Sequence, residues 1–357
     1  MILGADIGGT KSTLALFDWK NDRVEPERER TFASKDFETF DEILEEFLKP
    51  PETDEQQDDE ESSALSESQT EPRAPSSAAR PIEAACFGAA GPVVDNRCRT
   101  TNLPWILDGN DLAKRFNIPY VRLLNDLEAT AYGLLLLRPN ELHVLNAGSQ
   151  PKTTQAIGLI AAGTGLGEAI LFWDGVRYQP MPSEGGHSDF APNSDLEIEL
   201  LRHLRTVHLH VSYERVLSGD GLHTIYEFLR DTKKNEPTWI AERIKVEDPP
   251  AVIAEAGLKK QADIAVQALD LFVSIYGAEA GNLALKAMAI NGVYLGGGIA
   301  PKLLTKLTDG TFMRAFTAKG RYKRLMSSIP VRVILNQKTA LLGAAAVAAQ
   351  IRKPATL

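Results

Sequence analysis

Two stretches, one near the start of each half of the chain, share a single design. Residues 2 to 18 (ILGADIGGTKSTLALFD) and residues 156 to 173 (AIGLIAAGTGLGEAILFW) each run as an apolar β-type segment, a glycine turn and a second apolar segment. A repeated glycine-tipped hairpin points to an internally duplicated α/β fold. Neither turn is a common phosphate loop, since no G-x-x-x-x-G-K-[ST] occurs and no helix follows the glycines. A hairpin tip without side chains still exposes close-packed backbone N–H groups that can approach phosphate oxygens. Asp6, on the strand entering the first tip, is placed to hold Mg²⁺ through water, because that ion keeps much of its hydration and takes few carboxylates.

A third stretch, Tyr120 to Thr130, reads as strand, turn and helix start, with Asn125-Asp126 at the turn. Taken alone, the pair is an ordinary helix cap. The same position gives Asp126 the positive end of a helix dipole, which favours its ionised form, and an ionised carboxylate at a loop end is a candidate proton acceptor. Glu184-Gly185-Gly186-His187 reads as a polar loop bracketed by proline, and with Asp189 it packs two carboxylates and an imidazole into six positions. No second His stands at metal-ligand spacing, so hydrogen bonding to a polyhydroxylated ligand suits it better than zinc. Glu214 precedes a glycine-rich turn at Ser218 to Gly221, and the strand ending in Gly296-Gly297-Gly298 offers an adenosine-side turn before a helix. Pro104 and Trp105 could wall a ligand with Asn102 beside them, or Trp105 could be core. A long amphipathic helix is expected from about Lys259 to Ala289.

Composition narrows the setting. With 357 residues, 43% hydrophobic and 24% charged, the chain has room for two cores and the make-up of a soluble globular protein. The N-terminus has neither a basic region nor a cleavable apolar segment, so a cytoplasmic enzyme is the expectation. Two cysteines, Cys86 and Cys98, cannot build a disulfide framework or a four-thiolate zinc site. Between Glu52 and Arg80 nine acids stand against two bases, so most of the net charge of −9 belongs to one insert, about residues 50–81. Poor in aromatic and branched apolar residues, that insert is expected to be a mobile surface loop. The whole-chain charge therefore gives no argument for or against nucleic acid or other anionic partners.

DIGGTK, GAAGP, TNLPW, LLNDLEA, AAGTGLG, SEGGHSDFAPNS, ERVLSGDGL and LGGGIAP follow one another in the order found in bacterial glucokinases. The chain resembles that family over nearly its whole length outside the acidic insert, and the pairing of SEGGHSDFAP with ERVLSG carries most of the specificity. The glycine loops alone would indicate only the wider sugar kinase, actin and Hsp70 ATPase superfamily. The resemblance implies two ribonuclease H-like domains flanking a cleft: a smaller one of residues 1–136 plus 337–357 and a larger one of 137–336. It also implies ATP-dependent phosphorylation of glucose at O6, closure on sugar binding, and a homodimer. The longest apolar runs are strand-sized or broken by Gly and charge, so no membrane partner is expected, and no nucleic-acid partner either. By position, Asp126 is implied as the catalytic base, and Asn102, Asn125, Glu184, His187 and Glu214 as further sugar contacts. Gly8, Gly9, Thr10 and Lys11 with Gly163, Thr164 and Gly165 would face the phosphates, and Gly297 and Gly298 the adenosine. Lys11 and Thr13 stand where many members carry Asn and Arg; Lys11 is similar to the ROK sugar kinases, whose zinc-binding cysteine cluster is absent here. A hexose kinase with another sugar or a polyphosphate donor, a non-catalytic sugar-binding regulator, and an actin-like ATPase are the alternatives.

Overall fold

The computed structural model describes residues 1–18, 26–50, 80–149, 153–233 and 235–352. The expectation of a mobile insert at 50–81 falls almost wholly on residues outside that set. The chain divides into two compact units, one of Met1–Asp126 with Ala344–Leu357 and the other of Leu127–Gly343.

In the first unit the opening apolar runs form β1 (Ile2–Ile7) and β2 (Lys11–Phe17), an antiparallel hairpin in which Asp6 faces Thr13 across the register. β3 (Pro26–Ala33) adds to β2, and β4 (Ala84–Ala89) lies parallel to β1. Three short strands, β5 (Val93–Val94), β6 (Arg97–Arg99) and β7 (Ile106–Asp108), make a small separate sheet. β8 (Val121–Asn125) then pairs in parallel with β4, so the main sheet runs β3-β2-β1-β4-β8. The helix Phe40–Leu48 buries Phe40, Ile43, Leu44 and Phe47, the i, i+3, i+4, i+7 stripe of an amphipathic helix. Phe40 meets Phe87 of β4 edge-on, with ring centroids 5.2 Å apart.

The second unit repeats the plan. Its strands are β9 (Leu142–Asn146), β10 (Ile157–Ala162), β11 (Leu166–Trp173), β12 (Tyr178–Ser183), β13 (Val293–Gly296) and β14 (Val331–Ile334). They are ordered β12-β11-β10-β13-β14-β9. β10 and β11 are the second glycine hairpin, β13 and β14 follow in parallel, and β9 is added antiparallel at the far edge. Strand order and direction match between the units apart from β9, which is the internal duplication that the two hairpins forecast and the ribonuclease H-like plan that the resemblance implies.

Pro180 to Ser183 is the end of an edge strand, where proline is tolerated because an edge strand leaves N–H positions outside the ladder. One expectation needs correcting. The long helix, Asp263–Ala287, is buried around most of its circumference rather than amphipathic. Helices Gly219–Lys233, Pro249–Leu258 and Thr311–Thr317 pack on it along with β10, leaving little of it for solvent. It is the one described helix long and apolar enough to cross a membrane, and its burial makes it a core helix.

Candidate active site

In the first unit the predicted residues collect at one edge of the sheet, the end where the parallel strands β1, β4 and β8 finish. Ile7, Ala89 and Asn125 stand in register across those strands. The segments that follow them, Gly8-Gly9-Thr10, Ala90-Gly91-Pro92 and Asp126, therefore emerge side by side. Ligands in open α/β sheets bind at such carboxyl ends.

Each segment is held by specific bonds. Gly8 N–H donates to Lys11 O at 3.0 Å to close the hairpin tip, and Ser34 Oγ donates to Gly8 O at 2.7 Å. Asn102 is exposed and packs on Gly9, where a Cβ would come 2.7 Å from Asn102 Cβ. Thr101 N–H and hydroxyl both reach Ala90 O, which pins the TNLPW loop to the end of β4. Asn125 Nδ2 donates to Gly91 O at 3.1 Å. Trp105 is core, with its indole N–H making no hydrogen bond, so it is not a ligand wall.

Asp126 is the first residue of the helix Asp126–Leu134. Its charge reaches Asp6: burial, then Asp126, push the Asp6 carboxyl up to about 6, while the Lys11 ammonium pulls it down. The residue expected to hold a metal ion and the residue expected to take a proton thus act on each other electrostatically. Thr10 and Lys11 are exposed at the tip.

The second unit collects the other set. Gly163 N–H donates to Gly165 O at 2.8 Å across the tip, and Thr164 is exposed there. Gly219 N–H, in the first turn of the helix Gly219–Lys233, donates to Gly163 O at 2.9 Å, so the Ser218 to Gly221 turn docks on the hairpin. Glu184 stands at the head of the 3₁₀ turn Gly185–His187, and Glu214 lies in the 3₁₀ turn Tyr213–Arg215. His187 joins them: Nε2 is 4.0 Å from Glu184 Oε2, and Nδ1 is 3.9 Å from Glu214 Oε1. Those distances are beyond direct hydrogen bonding and leave donors and acceptors turned to one polar surface. Glu214 Oε2 accepts from Leu166 N–H at 3.0 Å. Asp189 instead pairs with His210 at 2.9 Å.

Gly297 and Gly298 follow β13, next to β10 in the sheet. Gly297 has φ +78° and a Cβ there would meet Ala162 O at 2.2 Å, so only glycine fits against the strand that leads into the Gly163 tip.

A sequence model of the glucokinase family matches residues 3–351. The chain belongs to the glucokinase family. The family's glucokinase from Nostoc sp. (strain PCC 7120 / SAG 25.82 / UTEX 2576) is 40% identical over 367 residues, covering 98% of this chain and 99% of that one. The crystal structure of a glucokinase from an Antarctic psychrotroph superposes with a TM-score of 0.78 at 28% identity, over 98% of each chain. A glucokinase from Balamuthia mandrillaris, solved in complex with glucose, shares the fold at a TM-score of 0.72 and 20% identity, over 98% of this chain and 93% of that one.

One buried acid next to the Gly185–His187 turn escaped sequence reading. Glu168, on β11, is 2% exposed, and burial followed by the charge of Glu279 pushes its carboxyl up to about 8. The only sequence signal was an acid at an inward-facing strand position, visible once the register is known.

Proposed function

We propose that the chain transfers the γ-phosphoryl group of ATP to O6 of glucose. The observation that carries this reading is the Leu166–Glu214 hydrogen bond, which ties the carboxylate read as a sugar contact to the glycine hairpin read as a phosphate loop. Family membership supports glucose as acceptor and ATP as donor.

In this reading Glu184, His187 and Glu214, with Asn102 and Asn125, orient the sugar hydroxyls. Gly8 to Lys11 and Gly163 to Gly165 take the phosphates, and Gly297 and Gly298 the adenosine. Asp126 accepts the O6 proton as the oxygen attacks the γ-phosphorus. The transition state is loose, so positioning and neutralisation of phosphate charge supply most of the acceleration. A Mg²⁺ ion fits Asp6: its carboxyl stands against the charge of Asp126, and a cation offsets that repulsion. Among the described residues no cluster of three or more metal-ligating side chains occurs, which suits an ion held mainly by water and phosphate oxygens. When bound, Mg²⁺ supplies charge neutralisation at the phosphates. The cytoplasmic location and the homodimer implied by the sequence resemblance belong to this proposal as well.

The test is a panel of glucose, mannose and other hexoses against ATP, ADP and polyphosphate, reading the phosphorylated product directly. Glucose 6-phosphate formed from ATP is the expected result. Turnover confined to another sugar or to polyphosphate would replace the reading with a related hexose kinase, and sugar binding with no product would make the chain a regulator.

A further inference from the structure

Beneath the turns that carry Glu184, His187 and Glu214 lies a buried acidic pair. Glu168 on β11 and Glu279 on the helix Asp263–Ala287 are 2% and 0% exposed. The charge of Glu279 acts on Glu168, and no hydrogen bond reaches Oε1 of either carboxyl. Shut off from water and facing the Glu279 charge, Glu168 resists ionisation and keeps its proton at neutral pH.

Both sugar-side turns rest on this pair. A Cβ on Gly185 would lie 2.2 Å from Glu168 Oε2, so the carboxyl forms the floor under the Gly185–His187 turn. Ser183 Oγ ties the same place together, donating to Glu168 O at 3.2 Å and accepting from Gly185 N–H at 3.1 Å. On the other side, Asn282 Nδ2 donates to Glu279 Oε2 at 2.8 Å and to the hydroxyl of Tyr213, the neighbour of Glu214, at 3.0 Å.

We propose that Glu168 and Glu279 act as a positioning pair for hexose recognition, sharing one proton that holds the two turns at the spacing glucose needs. Loss of the proton places two negative charges under the turns, and their repulsion loosens the grip on the sugar. The inference rests on the reading of Glu184, His187 and Glu214 as the sugar set.

The other titratable groups facing the pair are few. Lys286 Nζ is 3.6 Å from Glu279 Oε1, and Lys319 Nζ donates to Asn282 Oδ1 at 2.6 Å. Burial pushes the Lys319 ammonium down and the Tyr213 and Tyr276 hydroxyls up. His187 sits on the turn itself. All of these are common to the proteins compared below, so their titration cancels.

The experiment measures glucose KM and kcat at saturating ATP for the wild-type chain, Glu168→Gln and Glu279→Gln, with pH raised from about 7 to about 9.5. The wild-type glucose KM is expected to rise roughly 10-fold as pH passes about 8, with kcat changing less than about 3-fold. Both Gln variants should show a flat KM, because an amide keeps a hydrogen-bond donor and cannot take the second charge. A flat wild-type profile, or a Gln variant that follows the wild-type rise, overturns the proposal. If one variant does not fold by circular dichroism, the other decides. If neither folds, ¹³C NMR of the glutamate carboxyls in the wild-type chain decides: a titration near pH 8 supports the pair, and none above about 6 overturns it. Glu184→Ala separates this inference from the reading beneath it. An unchanged glucose KM there sinks the sugar-set assignment, whereas a raised one with no difference between wild type and Glu168→Gln sinks only the pair.

Discussion

The Glu214 carboxylate is fastened to the second glycine hairpin, accepting a hydrogen bond from Leu166 N–H at 3.0 Å. A Cβ at Gly165 would lie 2.5 Å from the same oxygen, so the tip and the carboxylate are fitted to one another. A group assigned to the sugar therefore also shapes a loop assigned to phosphate.

Substitutions at Glu214 should separate those two roles. Glu214→Ala is expected to raise the KM for glucose about 100-fold and the KM for ATP several-fold, since a polyol site with a missing partner and an untied loop both suffer. Glu214→Gln keeps an oxygen for the Leu166 N–H and should leave the KM for ATP near normal while still weakening glucose. Initial rates with each substrate varied make the comparison. An unchanged ATP KM in the Ala variant would mean that the bond does not position the loop.

Asp6 should show a conflict between stability and function. Its carboxyl is raised from 3.8 to about 6, so its favourable contribution to folding is present at acid pH and lost as pH rises through about 6. Above that, the ionised group costs the fold on the order of 1–2 kcal/mol after allowing for its partial exposure. Asp6→Asn is expected to raise the melting temperature at pH 8 by about 2–6 °C, with the gain shrinking toward pH 4, and to lose most MgATP-dependent turnover. A lower melting temperature at pH 8, or a gain that ignores pH, would count against this account of Asp6.

The two adenosine-side glycines should behave differently. Gly297→Ala combines an unfavourable φ with a 2.2 Å approach to Ala162 O and is expected to cost roughly 2–4 kcal/mol in denaturant unfolding. Gly298→Ala meets no atom within 4 Å and should change stability by less than about 1 kcal/mol. Equal effects would show that backbone conformation does not distinguish the two positions.

The sequence was most legible where local chemistry and topology agree. The two glycine hairpins forecast the duplicated sheets, and Asp108 caps its helix from a favoured cap residue type, accepting from the N–H groups of Asn110 and Asp111. Glu184, His187 and Glu214 were singled out because the first two stand in a polar glycine turn and the third precedes another, and the structure brings the three together. What could not be read depends on neighbours distant in sequence. The edge position that lets Pro180 and Pro182 sit in β12, the helices that bury Asp263–Ala287 all round, and the pairing of Glu168 with Glu279 exist only once the sheet and its helices are assembled. The pairing of Asp189 with His210 is of the same kind, since His210 arrives from another segment.

Asp126 gives the most direct test. In Asp126→Asn, glucose affinity measured by calorimetry should stay within about 3-fold of the wild type, while kcat for glucose 6-phosphate formation from ATP falls roughly 10²- to 10⁴-fold, the range of a lost general base. Turnover within about 3-fold of the wild type in that variant would contradict the assignment of Asp126 as the group that takes the O6 proton.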